Sequence, residues 1–310
     1  MDIKIEKLTL FSILMVLSVL CINQNIQASE TSGEVIDKLA NEITGEISIQ
    51  DSNGTVSLEQ ARTWISEHPE IGRIITNDRF RFTGLDYDSI NALFPKDKLP
   101  VLYRLLDDEQ YASYWANISK VIGYVSNDPN SIPVLLNYFM RDDGEKVNYM
   151  SCKIRTLSHI GKIGGPQADS ILKKAITKEG AKELAKSWLD AQKWQEKMQY
   201  NTKDKVIEDI QDAALEGLIF TAKQENWKIV ADLYSQSMQD TIKSKEMTPY
   251  MSSLAGAMGL RDFVIDHNND VKAYYRIQTD KLPGTMSSYI QNYLAFFRNV
   301  RGDIGGFRRG

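Results

Sequence analysis

From Leu99 onward, apolar residues recur every three or four positions. Val101, Leu102, Leu105 and Leu106 form one stripe, and Trp115, Ile118, Ile122 and Val125 form the next. Ile132, Leu135, Leu136 and Phe139 follow, then Met150, Ile154, Leu157 and Ile160, then Ile171, Leu172 and Ile176. That period places each set on one face of a helix and leaves the other face polar. The breaks are short and charged or turn-forming: Asp107 to Glu109, Ser126 to Pro129, Arg141 to Lys146, and Gly164 to Pro166. Helix, tight turn, helix is the rhythm of hairpins that bury their apolar flanks on one another.

Upstream, Ser57 is expected to cap a helix carrying Ala61, Trp64 and Ile65 that ends near His68 and Pro69. A weaker helix is predicted over Tyr87 to Phe94, with Asp88 as its N-cap. Downstream, Lys178 to Lys205 read as a lysine-rich helical insertion with Leu184, Trp188, Ala191 and Met198 near one seam. Ile207, Ile210, Ala214 and Leu218, followed by Trp227, Val230, Leu233 and Tyr234, predict another helical pair. Two or three further helices precede the Gly- and Arg-rich tail, Arg301 to Gly310, which is expected to be disordered.

The stretch VIGYVSNDPNSIPVLLNYF at 121–139 lines up with HIGKIGGPQADSILKKAI at 159–176, a displacement of about 37 to 38 residues, within the range of helical-pair arrays. Gly123 and Gly161 hold equivalent places. Asp128 before Pro129 predicts a capped start with proline in the first turn, and Gly165 with Pro166 repeats the device.

On these residues the chain resembles the HEAT-like repeat family of the phycobilisome-lyase type. Its units run from an apolar helix through an acidic turn to V-R-x-x-A-L-x-x-I-G, then D-P and a new helix. Ile154, Arg155, Leu157, Ile160, Gly161, Ile163 and Pro166 match in one unit; Ile122, Gly123, Val125, Asp128 and Pro129 match in the one before. Asn117 stands where the arginine would be, and the turn before Arg155 is longer than usual. The likeness covers 99–176 well and 206–234 loosely. It implies an all-α superhelix, an α-solenoid of HEAT-like helical hairpins, and no single activity.

The amino terminus has a different pattern. Lys4 and Lys7 precede an apolar run from Leu8 to Ile22, then polar Asn23 to Gln27 and a small residue, Ala28. This is the layout of a cleavable export signal, too short in its apolar run to span a bilayer. Cleavage is expected after Ala28. Cys21 would leave with the signal, so the mature chain would keep only Cys152 and form no internal disulfide. Asn-x-Ser/Thr triplets begin at Asn53 and Asn117, but Asn117 falls in a helix expected to be packed, which favours a bacterial exported protein.

Composition narrows the function classes. Of 310 residues, 42% are hydrophobic and 25% charged, as in ordinary soluble domains, and the net charge of -4 supplies no global field toward nucleic acid. The lysines of Lys173 to Lys205 alternate with Glu179, Glu183, Asp190 and Glu196, which indicates a solvated face. His68, His159 and His267 show no metal-ligand spacing, and no phosphate loop or nucleophile elbow occurs. No cofactor, metal or catalytic set is assigned.

Arg155, His159 and Lys162 share one polar helix face at i, i+4 and i+7. In the resembling family the second helix of each pair lines the concave surface, which would align them with Asn117, Lys120 and Tyr124. These six residues are the candidate partner-binding set. The structural alternative pairs Arg155 with Asp142 or Asp143. His159 as a general base and Asp86 with Asp88 as paired acids are weaker chemical options. The dense Tyr274, Tyr275, Tyr289, Tyr293, Phe296 and Phe297 suggest a terminal helical pair capping the array, or an aromatic patch.

The expected organisation is a signal at 1–28, a leader with capping helices at 29–95, and repeats at 96–178. Divergent and C-terminal helices follow at 179–300, then the tail at 301–310. The expected function is a periplasmic or secreted scaffold that binds a protein or extended peptide, with no nucleic acid and no stable membrane span. The alternative is an all-helical envelope hydrolase using acidic groove residues.

Overall fold

Ser57 opens the first helix with a capping box. Its hydroxyl accepts from the Gln60 amide at 3.1 Å, and the Gln60 side chain accepts from the Ser57 amide at 2.8 Å. In this computed structural model, residues 56–76, 87–143, 150–190, 202–244, 246–277 and 288–294 are described. All lie in the unit Asp51–Gly310. The expected export signal at 1–28, the start of the leader at 29–55, Asp86, residues 191–201 with Trp194 and Met198, Phe296, Phe297 and the tail lie outside them.

Among the described residues 84% are helical and none is in a strand, so the chain is all-α. The helices are α1 (Leu58–Glu67), α2 (Pro69–Thr76), α3 (Tyr87–Leu93), α4 (Leu99–Asp107), α5 (Trp115–Val125), α6 (Ser131–Met140) and α7 (Met150–Ile163). They continue as α8 (Pro166–Ala175), α9 (Lys178–Leu184), α10 (Lys186–Leu189), α11 (Lys203–Phe220), α12 (Gln224–Ser244), α13 (Pro249–Asp266) and α14 (Lys272–Ile277). A last helical turn spans 288–294. No helix among the described residues is long and apolar enough to cross a membrane.

Three sequence expectations shift. Pro69 starts a second helix, α2, instead of ending the region, because proline lacks only an N–H that a first turn leaves unbonded. Asp128, three residues before α6, caps the preceding turn by accepting from the Asn130 amide at 3.0 Å, while α6 itself begins at Ser131. Asp88 lies inside the first turn of α3, where its carboxylate pairs with Arg276 at 3.1 Å.

The helices pack as neighbours along the chain. α5 lies on α7, α7 on α11 and α11 on α13, while α2 and α3 lie against α5. On the other flank α1 packs on α4, α4 on α6 and α6 on α10. Leu102, Leu105, Ile118, Ile122, Ile132, Leu135, Phe139, Leu157, Ile160 and Leu172 are fully buried between these rows. Each such side chain contributes about 1.5–3 kcal/mol by leaving water.

Gly123 and Gly161 each sit where another helix approaches closely, against different atoms. A β-carbon on Gly123 of α5 would fall on the His159 ring of α7, and one on Gly161 of α7 would fall on the backbone of Gly217 in α11. Gly217 in turn faces the Leu157 carbonyl oxygen, 2.8 Å from where its own β-carbon would stand. Backbone meets backbone here, so relief would require whole helices to separate. Gly161→Ala should therefore cost about 1–3 kcal/mol or more in urea denaturation. Gly256→Ala in α13, where a β-carbon meets nothing within 4 Å, should instead stabilise by about 0.5–1 kcal/mol. Equal effects at the two sites would contradict the close crossing.

Candidate functional site

α5 and α7 bring the six candidate residues together, but most of them face inward. Asn117 is buried and donates to the Ile75 carbonyl of α2 at 2.7 Å, which also removes it from any glycosylation in the folded chain. Tyr124 and His159 are buried, with ring centroids 5.8 Å apart. Lys162 donates to the carbonyls of Tyr124 at 2.7 Å and Ser126 at 3.1 Å, so it ties the end of α5 to α7. Lys120 lies half-buried with its ammonium 5.6 Å from the Tyr124 ring centroid.

Arg155 alone of the six is open, keeping 60% of its side-chain surface in solvent. It pairs with Glu216 of α11 at 3.1 Å, and the Glu216 carboxylate raises its already high pKa. Asp143 instead pairs with Arg141 at 2.6 Å and Lys153 at 2.7 Å. Arg141 also reaches Asp107 at 2.8 Å and the Leu106 carbonyl at 2.7 Å while lying 4.2 Å from the Trp115 ring centroid. That network joins the ends of α4 and α6 to α5 and α7. Lys153 is fully buried within it, and burial lowers its pKa to about 8 against the opposing pull of Asp143.

The face is roofed by α14. Tyr275 is only 2% exposed and its ring sits 5.0 Å from Tyr124, 5.4 Å from Phe220, 5.6 Å from Tyr87 and 6.2 Å from His159, centroid to centroid. The expected grouping of the late tyrosines therefore divides. Tyr289 and Tyr293 join α13, at Asp266 and Asp262, whereas Tyr275 enters the centre of the α5–α7–α11 row. Tyr124 Oη, His159 Nδ1 and Tyr275 Oη are buried without a hydrogen-bond partner among the described residues.

Glu216, Tyr87 and Tyr275 were missed as members of this site. One signal was available: Asp204, Glu208, Asp212 and Glu216 recur at i+4 and mark one acidic face of α11. Of these, the Asp212 carboxyl has its pKa raised, chiefly by burial, and its Oδ1 is buried without a partner among the described residues.

A separate pocket of about 290 Å³ lies between α9, α11 and the start of α13. Its polar lining is already engaged: Lys178 pairs with Asp204 at 3.0 Å, and Gln211 and Tyr250 both donate to the Ile176 carbonyl. Cys152 is half-buried and forms no disulfide among the described residues. Among the described residues no group of three or more His, Cys, Asp or Glu side chains is placed to hold a metal ion. No family model, curated protein or solved structure matches the chain.

His159 is a poor base in this setting. Burial first, then the charges of Lys120, Lys162 and Arg155, lower its pKa to about 3. An unfolded chain would protonate it near 6.5, so between pH 6.5 and 3 the unfolded state carries the extra proton. Its contribution to stability is complete above 6.5 and is lost as pH falls through that window, by up to about 1.4 kcal/mol per pH unit. Urea denaturation of the parent chain should therefore steepen with acidity relative to His159→Gln. Parallel pH profiles for the two would refute a buried neutral imidazole.

Proposed function

We propose that this chain is an exported α-superhelical scaffold of HEAT-like hairpins that holds a protein or extended-peptide partner along its inner row of helices. The observation that carries the reading is the α5–α7–α11–α13 row. Each helix there packs on the next, with glycines at repeat-equivalent positions, and Arg155 and Glu216 form a polar bridge across adjacent helices at the surface. Successive hairpins stacked in this way build extended surfaces suited to an elongated partner. The charged start, apolar run and Ala28 support export.

A photoreactive residue at position 155 should cross-link a polypeptide in the native envelope, and the same residue at exposed Leu58 of α1 should not. Glu216→Lys should reduce the adduct by disturbing the bridge. No adduct at 155 would remove the ridge from consideration. Sequencing of the envelope protein should begin at Ser29; a cytoplasmic chain that retains Met1 would refute export.

A second reading, an envelope hydrolase, is favoured by Asp212, whose carboxyl is held above its usual pKa by burial. It requires hydrolysis of a cell-wall or glycan substrate that is lost in Asp212→Asn. Failure of the purified parent chain to cleave such substrates would eliminate it.

A further inference from the structure

α14 is a short helix seated across four others. Its Tyr275 ring contacts Tyr87 of α3, Tyr124 of α5, His159 of α7 and Phe220 of α11. Aromatic walls on all of these elements make the seat well shaped for a ring. In other respects α14 fits it poorly.

The hydroxyls of Tyr124 and Tyr275 and the Nδ1 of His159 are buried here without partners among the described residues. A buried polar atom left without a partner loses the hydrogen bonds it would make to water. The charges also disagree. Lys96, Lys120, Arg155 and Lys162 surround the seat against Glu216 and Asp88, yet α14 brings in Lys272 and Arg276. Burial first, then Lys272 and Lys96, push the Lys162 pKa down to about 7. α14 is held by the Tyr274 ring, 5.1 Å from that of Phe220, and by Arg276, which pairs with Asp88 of α3 at 3.1 Å and with Asp270 of its own segment at 3.0 Å, the three paired side chains all at least 42% exposed. Such surface pairs add little, and a helix of one to two turns has no stability of its own.

We propose that the seat of α14 is a docking cleft for an acidic, aromatic-bearing segment of a protein partner, with α14 filling it as an internal stand-in until that segment displaces it. This rests on the reading that the α5–α7–α11 row binds a polypeptide, and it names the chemistry of the contact. A partner ring would keep the stacking that Tyr275 makes. Flanking carboxylates would meet Lys96, Lys120 and Lys162 with attraction where Lys272 now meets Lys162 with repulsion.

The test uses the full mature chain and a fluorescein-labelled dodecapeptide of Asp, Glu and Gly with one central Tyr. Two control peptides replace the Tyr by Ala, or the acids by Lys. Fluorescence anisotropy should show Tyr275→Ala binding the acidic Tyr peptide about tenfold more tightly than the parent chain, because no internal ring competes. Lys272→Glu changes an exposed position and improves the match of α14 to its seat, so it should bind the peptide severalfold more weakly.

Hydrogen exchange of residues 272–277 should speed up as the peptide saturates the parent chain, and both control peptides should bind worse. Unchanged affinity in Lys272→Glu, continued protection of 272–277 in the complex, or equal binding of the lysine peptide would overturn the proposal. Lys272→Glu decides the matter if Tyr275→Ala loses its cooperative melt. An adduct at position 155 together with those negative results would discard the cleft and keep the scaffold. Absence of the adduct, with the peptide results positive, would discard the Arg155 ridge and keep the cleft.

Discussion

Close approach between neighbouring helices governs this fold. α5 meets the His159 ring of α7 at Gly123, and α7 meets the backbone of α11 at Gly161 and Gly217. A side chain at any of these points would stand where the next helix already is. Because native interiors are close-packed, the helices cannot be spread without opening the core around Ile122, Leu157 and Ile160. The same geometry draws polar residues from α5 and α7 into the interior. Tyr124 and His159 are internal because the helices that carry them are too close to leave them outside.

Burying polar groups so near to cations has consequences that local sequence does not predict. His159 is held neutral, and Lys162 survives burial by donating to two carbonyls at the end of α5. On the opposite flank, Lys153, Asp143, Arg141 and Asp107 form a continuous ionic chain beneath Trp115 and Tyr138. Such networks add little net stability compared with apolar packing, but they penalise any alternative alignment that would strand one member. Here they set the register of the α4/α5 hairpin against α6/α7.

The candidate face of α5 and α7 is thus divided between a packed interior and a narrow open edge. Arg155 and Glu216 supply the edge, and α14 lies over the interior with Tyr275 as its main apolar anchor. An element held by two rings and one exposed ion pair to α3 belongs toward the low end of local stability in a folded chain, whereas α7, enclosed by α5, α6, α8 and α11, belongs to the high end. The contrast sets α14 apart as the least supported of the elements around the Arg155–Glu216 pair.

Much of the local structure was legible from the sequence alone. The spacing of Trp115, Ile118, Ile122 and Val125, and of Ile154, Leu157 and Ile160, defines helices because a period near 3.6 buries one face wherever the segment is placed. Ser57 marks a helix start through a bond that closes three residues on, and Gly165 with Pro166 marks one through backbone geometry confined to those two residues. The equivalence of Gly123 and Gly161 was visible as a repeat. What their missing side chains admit was decided by tertiary structure. So were the pairing of Arg155 with Glu216 61 residues away, the bond from Asn117 to Ile75 42 residues back, and the Arg276–Asp88 contact across 188 residues. The hydrophobic period tells which face turns inward; it carries no information about which distant segment that face will meet, and Tyr275 reaches the centre of the row only because α14 folds back over it.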